Sequence, residues 1–210
     1  RDIGVTGVQT CALPISAVYH YETALVERDL GRLEEARQSL ERAAEIDVNN
    51  LHYVLDLAET CRELHDSEGA VACYKRSIEL APQRAESHFE LGSAYFQSEQ
   101  LEAAREAFGN CLRFDPEHAD ALFLLGRCVH SLGDVKGSEH YFRQALRIED
   151  GRWDFHCELG LVLQEGRYFA EAAHNLQRSL ELEPQSPQRA RIYYAFGSCC
   201  IALGRNQDAL

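Results

Sequence analysis

One interval governs this chain. Gly92, Gly126 and Gly160 lie 34 residues apart, and Pro82 to Pro116 is 34 again. Pro184 follows Pro116 by 68, twice that step. Ala36, Ala70, Ala104, Ser138 and Ala172 climb by 34, as do Leu40, Tyr74, Phe108, Phe142 and Leu176. Self-similarity at a fixed period of a few tens of residues marks an array of stacked supersecondary units. The step changes once. Gly160 to Gly197 and Ala172 to Ala209 are both 37, so three residues, about Pro187 to Arg189, are inserted there. The predicted units are 17–50, 51–84, 85–118, 119–152 and 153–186, with a partial sixth over 190–210.

Each unit reads as two helices. In the third, "AESHFELGSAYFQSEQ" puts Leu91, Ala94 and Tyr95 on one apolar stripe. "LEAAREAFGNCLRFDP" puts Leu101, Ala104, Phe108, Cys111 and Leu112 on another. Asp115-Pro116 stops the second helix, because Pro cannot continue it and disfavours helical backbone before it. A helix of about 12 residues cannot bury its stripe alone. Stacked pairs bury a continuous core, so an all-α solenoid is expected. Glycine or alanine at 24, 58, 92, 126 and 160 marks the point where the two helices of a unit approach most closely.

These residues carry a resemblance. "FELGSAYFQSEQLEAAREAFGNCLRFDP" resembles the tetratricopeptide repeat (TPR) through Leu91, Gly92, Tyr95, Ala104, Phe108 and Pro116. The pattern returns with Leu125, Gly126, Gly133, Phe142 and Ala145, and again with Leu159, Gly160, Ala172 and Pro184. The first two units depart from it: Ala24 and Ala58 replace Gly, and Val48 replaces the terminal Pro. The resemblance covers residues 17–210. It implies a TPR-type α-solenoid, a right-handed superhelix of antiparallel helix pairs, used as a protein–protein scaffold. It further implies that the first helices line a concave groove. Read onto this chain, the groove positions are Tyr21, Asp56, Glu59, Glu86, Phe89, Glu90, Asp120, Phe123, Arg127, Asp154, Glu158 and Tyr194.

Charge narrows the partner. Asp plus Glu is 34 against 21 Lys plus Arg, a net charge of −13. Nucleic-acid backbones and anionic membrane surfaces are repelled by such a chain. Carboxylates outnumber bases among the groove positions, with aromatics between them. That wall suits a basic, partly apolar peptide or helix. The resemblance also includes a subtype that grips acidic chaperone tails with Lys, Asn and Arg, and the corresponding Tyr21, Leu25, Asp56, Glu86 and Glu90 lack that clamp. The Asn ladder of the peptide N-acetylglucosaminyl transferase is missing too.

Chemistry is otherwise sparse. Neither phosphate-cradling glycine loops nor H-E-x-x-H or G-x-S-x-G occurs. His20, His88 and His156 sit two units apart and cannot converge on a metal, so no metal or cofactor is expected. The eight cysteines fall at no pair spacing within helical segments, and Cys61, Cys111 and Cys200 occupy interior positions. They read as buried thiols of a reducing compartment, with the protein cytoplasmic. Trp153 opens the fifth unit, where a contact between units is expected. The leading expectation is a non-enzymatic interaction scaffold. The alternative is the substrate-recruiting array of a larger enzyme, such as a glycosyltransferase, whose catalytic domain lies elsewhere.

Residues 1–16 fall outside the array. Their "VTGVQTCALPIS" has no periodicity and resembles a translated sequencing adapter, so they are expected to be a non-native leader. "GRNQDAL" ends inside the second helix of the sixth unit, so the chain reads as a fragment of a longer protein.

Overall fold

The computed structural model describes residues 16–185 and 187–204. Apart from Ser16, the expected leader lies outside them, as does the end of the sixth unit. The described residues form eleven α-helices and no strand: α1 Ala17–Asp29, α2 Leu33–Ile46, α3 Leu51–Glu63, α4 Ser67–Leu80, α5 Ala85–Gln97, α6 Leu101–Phe114, α7 Ala119–Ser131, α8 Val135–Ile148, α9 Trp153–Glu165, α10 Phe169–Leu182 and α11 Arg189–Ala202. In α1 to α10 the first helix of each pair has 13 residues and the second 14. This is the all-α, TPR-type solenoid architecture. No helix among the described residues is long and apolar enough to cross a membrane.

A backbone device makes the repeat regular. Gly31, His65, Glu99, Gly133 and Arg167 all adopt left-handed φ, and they too are 34 residues apart. Each ends a first helix with the same pair of bonds. Gly31 N–H donates to Arg28 O and Arg32 N–H to Glu27 O, both at 2.8 Å. The equivalents run from His65 and Asp66, Glu99 and Gln100, Gly133 and Asp134, and Arg167 and Tyr168. This closes the carbonyls a helix end leaves open and turns the chain back on itself. Three of the five are not glycine and adopt this conformation against the usual steric preference. Asp66 and Asp134 then cap the next helices, accepting from Gly69 and Gly137 N–H at 2.9 Å. Ser16 caps α1, accepting from Tyr19 N–H at 3.3 Å. At the far end of the unit, proline is dispensable. α2 stops at Ile46 and α8 at Ile148 without it, in the register where α6 stops at Phe114 before Pro116.

Side chains fix how closely paired helices meet. A Cβ on Gly92 would lie 2.7 Å from the Phe108 ring, one on Gly126 2.7 Å from Phe142, and one on Gly160 2.7 Å from Leu176. The glycine ladder thus faces the aromatic–leucine ladder, and the glycines let those large side chains seat. Ala24 clusters with Leu40 in the same way, Ala58 holds the equivalent position, and both alanines are fully buried. The chain divides into two compact units between Ala81 and Pro82. In the first, Ala24, Ala36 and Leu40 form one small cluster, and Ala17, Ala43 and Tyr53 another. In the second, one large core runs through Leu122, Phe123, Phe142, Phe155, Leu163, Leu176 and Ile192, and a neighbouring cluster gathers around Phe108 and Leu125.

Candidate partner-binding face

The expected site residues lie on first helices, so one packing rule governs them. In the first unit, Tyr21 on α1 donates its hydroxyl to Asp56 Oδ2 on α3 at 2.7 Å. Its ring packs on Tyr53 with centroids 4.8 Å apart. The bond to Asp56, then burial, pushes the Tyr21 phenol up to about 12. Arg28 at the end of α1 reaches Glu59 at 3.2 Å and Glu63 at 3.4 Å on α3. The structure therefore brings Tyr21 and Asp56 together and ties Glu59 to an arginine.

The second unit repeats that logic with other residues. Arg152, just before α9, binds Asp154 through Nε at 3.0 Å and Nη2 at 2.8 Å, and Asp120 through Nη1 at 3.1 Å. Its guanidinium lies 4.3 Å from the centroid of the Phe155 ring and is held charged chiefly by the Asp154 bond. Glu158 faces Arg191 at 3.7 Å. Asp56, Glu59, Asp120, Asp154 and Glu158 are thus engaged by Tyr21, Arg28, Arg152 or Arg191, Glu86 lies beside His118, and Glu90 is engaged as well. The expectation of an open acidic wall is corrected to that extent: Arg28, Arg152 and Arg191 neutralise it, and sequence spacing carries no sign of which carboxylate they choose.

The aromatics need a second correction. Phe123, expected to face a partner, is only 7% exposed. It stacks on Phe155 at 4.5 Å and leans on Phe142 at 5.6 Å. Its position is taken by packing of the next first helix, as Tyr21 is covered by Tyr53. Both pairs are 32 residues apart, two short of the repeat, so an aromatic pair at that spacing is the signal for such cover. Elsewhere on the face the residues remain reachable. Phe89 is half-buried and stacks on His118 at 4.5 Å. Glu86 is 53% exposed, with His118 Nε2 3.9 Å away, and Glu90, one turn on, is half-buried. Arg127 is exposed and lies over Phe96 at 5.0 Å and Phe123 at 5.9 Å. Tyr194 on α11 is 81% exposed.

The histidines fasten loops. His88 Nε2 meets Pro82 O at 2.9 Å, and His156 Nε2 meets Asp150 O at the same distance. Among the described residues no three His, Cys, Asp or Glu side chains gather as a metal site. Cys61, Cys111 and Cys200 are buried, as their register requires. Trp153 is half-buried on the large core, and its carbonyl accepts from the Ser179 hydroxyl on α10 at 2.8 Å.

Comparison with known proteins agrees with this architecture. Residues 17–50 match a tetratricopeptide repeat model. The BBSome complex member bbs-4 of Caenorhabditis elegans is 29% identical over 136 residues, covering 64% of this chain but 29% of that protein. The chain thus spans less than a third of that relative. Among solved structures, MamA superposes with a TM-score of 0.75 at 22% identity, covering 84% of this chain and 95% of that one. YrrB, described as a TPR protein with an unusual peptide-binding site, superposes with a TM-score of 0.70 at 21% identity, covering 81% and 87%. These structural likenesses establish the fold. Residues 54–187, well over half the chain, match a further model, and the chain belongs to its family: that of the cilia and flagella-associated protein 70 middle TPR-like domain.

Proposed function

We propose that the chain is a protein-interaction array and that the face formed by α5 and α7 receives a basic, partly apolar segment of a partner. The observation that carries this reading is an exposed carboxylate, Glu86, set beside the held ring of Phe89. Asp56, Glu59, Asp120, Asp154 and Glu158 are drawn into bonds with Tyr21, Arg28, Arg152 and Arg191. Glu86 is more than half exposed, and Glu90 stands one turn away on the same helix. Phe89 lies between them, its ring held by His118, and offers a pre-oriented apolar contact. The net charge of −13 steers cations toward the chain. The family description favours a partner in a cilium- or flagellum-associated assembly. The same face would recruit substrate if the array served a catalytic domain in a longer chain.

The test is a panel of basic, neutral and acidic peptides measured at low and high salt. Wild type is compared with a Glu86→Lys/Glu90→Lys double variant. Basic peptides should associate fastest, lose that advantage as salt shortens the screening length, and lose it wholly in the double variant. Phe89→Ala should leave association unchanged and speed dissociation. A preference for acidic peptides, or basic binding indifferent to salt, overturns the reading.

A further inference from the structure

The solvent face of α8 is unlike that of its counterparts. Lys136, His140, Arg143 and Arg147 follow at intervals of four, three and four, which sets them in one row along the helix. The row lies opposite the buried Ser138, Phe142 and Ala145. In α2 the same register holds Glu34, Gln38, Glu41 and Glu45, and in α4 Glu68, Ala72, Lys75 and Glu79. In α6 it holds Glu102, Glu106, Gly109 and Arg113, and in α10 Ala170, His174, Gln177 and Glu181. The repeat therefore needs no cation at these positions and more often carries glutamate there. In a chain with 34 acidic and 21 basic residues, the α8 row is a local reversal of sign.

The row borders a cleft of about 310 Å³, walled on its other side by Tyr168 at the start of α10. Other repeats place Arg32, Asp66, Gln100 and Asp134 where Tyr168 stands, and Tyr168 is 57% exposed. Its ring rests on Gly166, where a Cβ would lie 3.1 Å from it. Arg143 is held by Glu139 and, at 2.8 Å, by Glu171. Lys136 and Arg147, at the two ends of the row, are exposed and form no ion pair among the described residues.

We propose that this cleft docks a short acidic segment of a partner protein. Glu139 and Glu171 offset Arg143 at the middle of the row, so attraction for anions is concentrated at Lys136 and Arg147. Eleven helical residues separate these two, a rise of about 16 Å at about 1.5 Å per residue. About five residues of extended chain, at about 3.3 Å each, span that distance. Carboxylates at the ends of such a segment meet the two cations, and a side chain between them lies against the Tyr168 ring. The net charge of −13 repels a long polyanion such as a nucleic acid. A segment of five residues meets chiefly the local field, because salt screens charges beyond about 8–10 Å. The cleft takes the opposite charge from the α5–α7 face, so the two surfaces do not compete for one segment.

The experiment titrates the full chain into rhodamine-labelled hexaglutamate, hexaglutamine and a 20-nucleotide single-stranded DNA, read by fluorescence anisotropy at low and high salt. Hexaglutamate should bind at low salt and weaken as salt rises, and hexaglutamine should not bind. Lys136→Glu/Arg147→Glu writes the glutamates of α2 and α4 into α8, so the melting temperature should hold while affinity falls at least about tenfold. Tyr168→Gln, the choice of the third repeat, should weaken binding about threefold. A second readout needs no variant. Lys75 and Lys136 are the two lysines of the chain, and saturating hexaglutamate should shield Lys136 from acetylation by an activated ester while Lys75 serves as the reference. Unchanged hexaglutamate binding by the double variant, or Lys136 acetylated as fast with the peptide as without it, overturns the proposal. Hexaglutamine bound as tightly as hexaglutamate overturns it too, and DNA bound more tightly than hexaglutamate would make the row a nucleic-acid contact instead.

Discussion

The two compact units share one 34-residue grid but hold it together differently. In the first, alanines at 24 and 58 are fully buried where the second unit has glycine, and polar bonds stitch successive first helices: Tyr21 to Asp56, Arg28 to Glu59 and Glu63. In the second, glycines at 92, 126 and 160 admit Phe108, Phe142 and Leu176, and a phenylalanine stack runs from Phe142 through Phe123 to Phe155. Helix lengths, turns and end points are the same in both. The backbone sets the grid, then, and the chemistry between helices is exchangeable. Burying a ring removes far more apolar surface from water than a half-exposed polar bond recovers.

The sharpest way to break this contrast is to delete a ring from each unit. Phe155 is fully buried between Phe123 and Arg152. Phe155→Ala should cost about 3–5 kcal/mol in chemical denaturation and expose amides over 119–186 to exchange. Tyr53→Ala removes the equivalent ring from a smaller cluster and should cost clearly less. Equal losses would erase the distinction between the units.

The second test grafts one unit's solution onto the other. Gly126→Ala places a Cβ against Phe142, whose ring is almost wholly buried and has nowhere to move. The expected cost is about 1–3 kcal/mol by overpacking, and Gly126→Leu should be worse still. Ala58→Gly makes the reverse change and should cost only about 1 kcal/mol, mostly helix propensity. Gly126→Ala without penalty would mean the glycine ladder does not set the approach of the helices.

Those positions also show what is legible in the sequence. The period, the helix pairs and the glycine ladder can be read because each recurs at one spacing that sterics impose. The site is less legible. Tyr21 and Phe123 look like ligand contacts because period alone cannot say which ring the next helix will cover. Phe155 and Tyr53, which cover them, lie 32 residues on and off the main ladders. Arg28 and Arg152 escape notice for a different reason. Long, flexible side chains choose carboxylates in three dimensions, and no fixed interval records the choice.

A third test isolates the polar stitching of the first unit. Tyr21→Phe removes the hydroxyl that Asp56 accepts and leaves the ring on Tyr53. The loss should be about 1 kcal/mol, the value for a bond to a carboxylate reduced by partial exposure. Its pH dependence has a definite sign. The folded pKa, about 12, lies above the ordinary phenol value of 10.0, so the folded state binds the proton more tightly. The contribution is complete below pH 10 and disappears as pH rises through about 12. The difference between wild type and Tyr21→Phe should therefore be flat across neutral pH and shrink in strong base. A difference that grew in base would reverse the assignment of donor and acceptor.

The smallest expected effect lies where the two units use most nearly the same chemistry. Arg28 to Glu63 and His130 to Glu165 occupy one register, each pair 35 residues apart, at 3.4 and 2.8 Å. The first pair is charged at any ordinary pH, whereas the second is an ion pair only when the imidazole is protonated. His130→Arg copies the first unit's choice into the second. The His130 side chain is 38% exposed and that of Glu165 55%, so water screens whatever is gained. The gain at neutral pH and low salt should stay under about 0.5 kcal/mol. Two controls give that small number meaning. Glu165→Gln should abolish it, because the partner charge is gone, and molar salt should erase it, because screening then acts over a few ångströms. If His130→Arg stabilises by more than about 1 kcal/mol, beyond what an exposed pair supplies, and the gain survives salt, it comes from packing of the longer side chain. Polar stitching would then count for more in the second unit than the phenylalanine stack suggests.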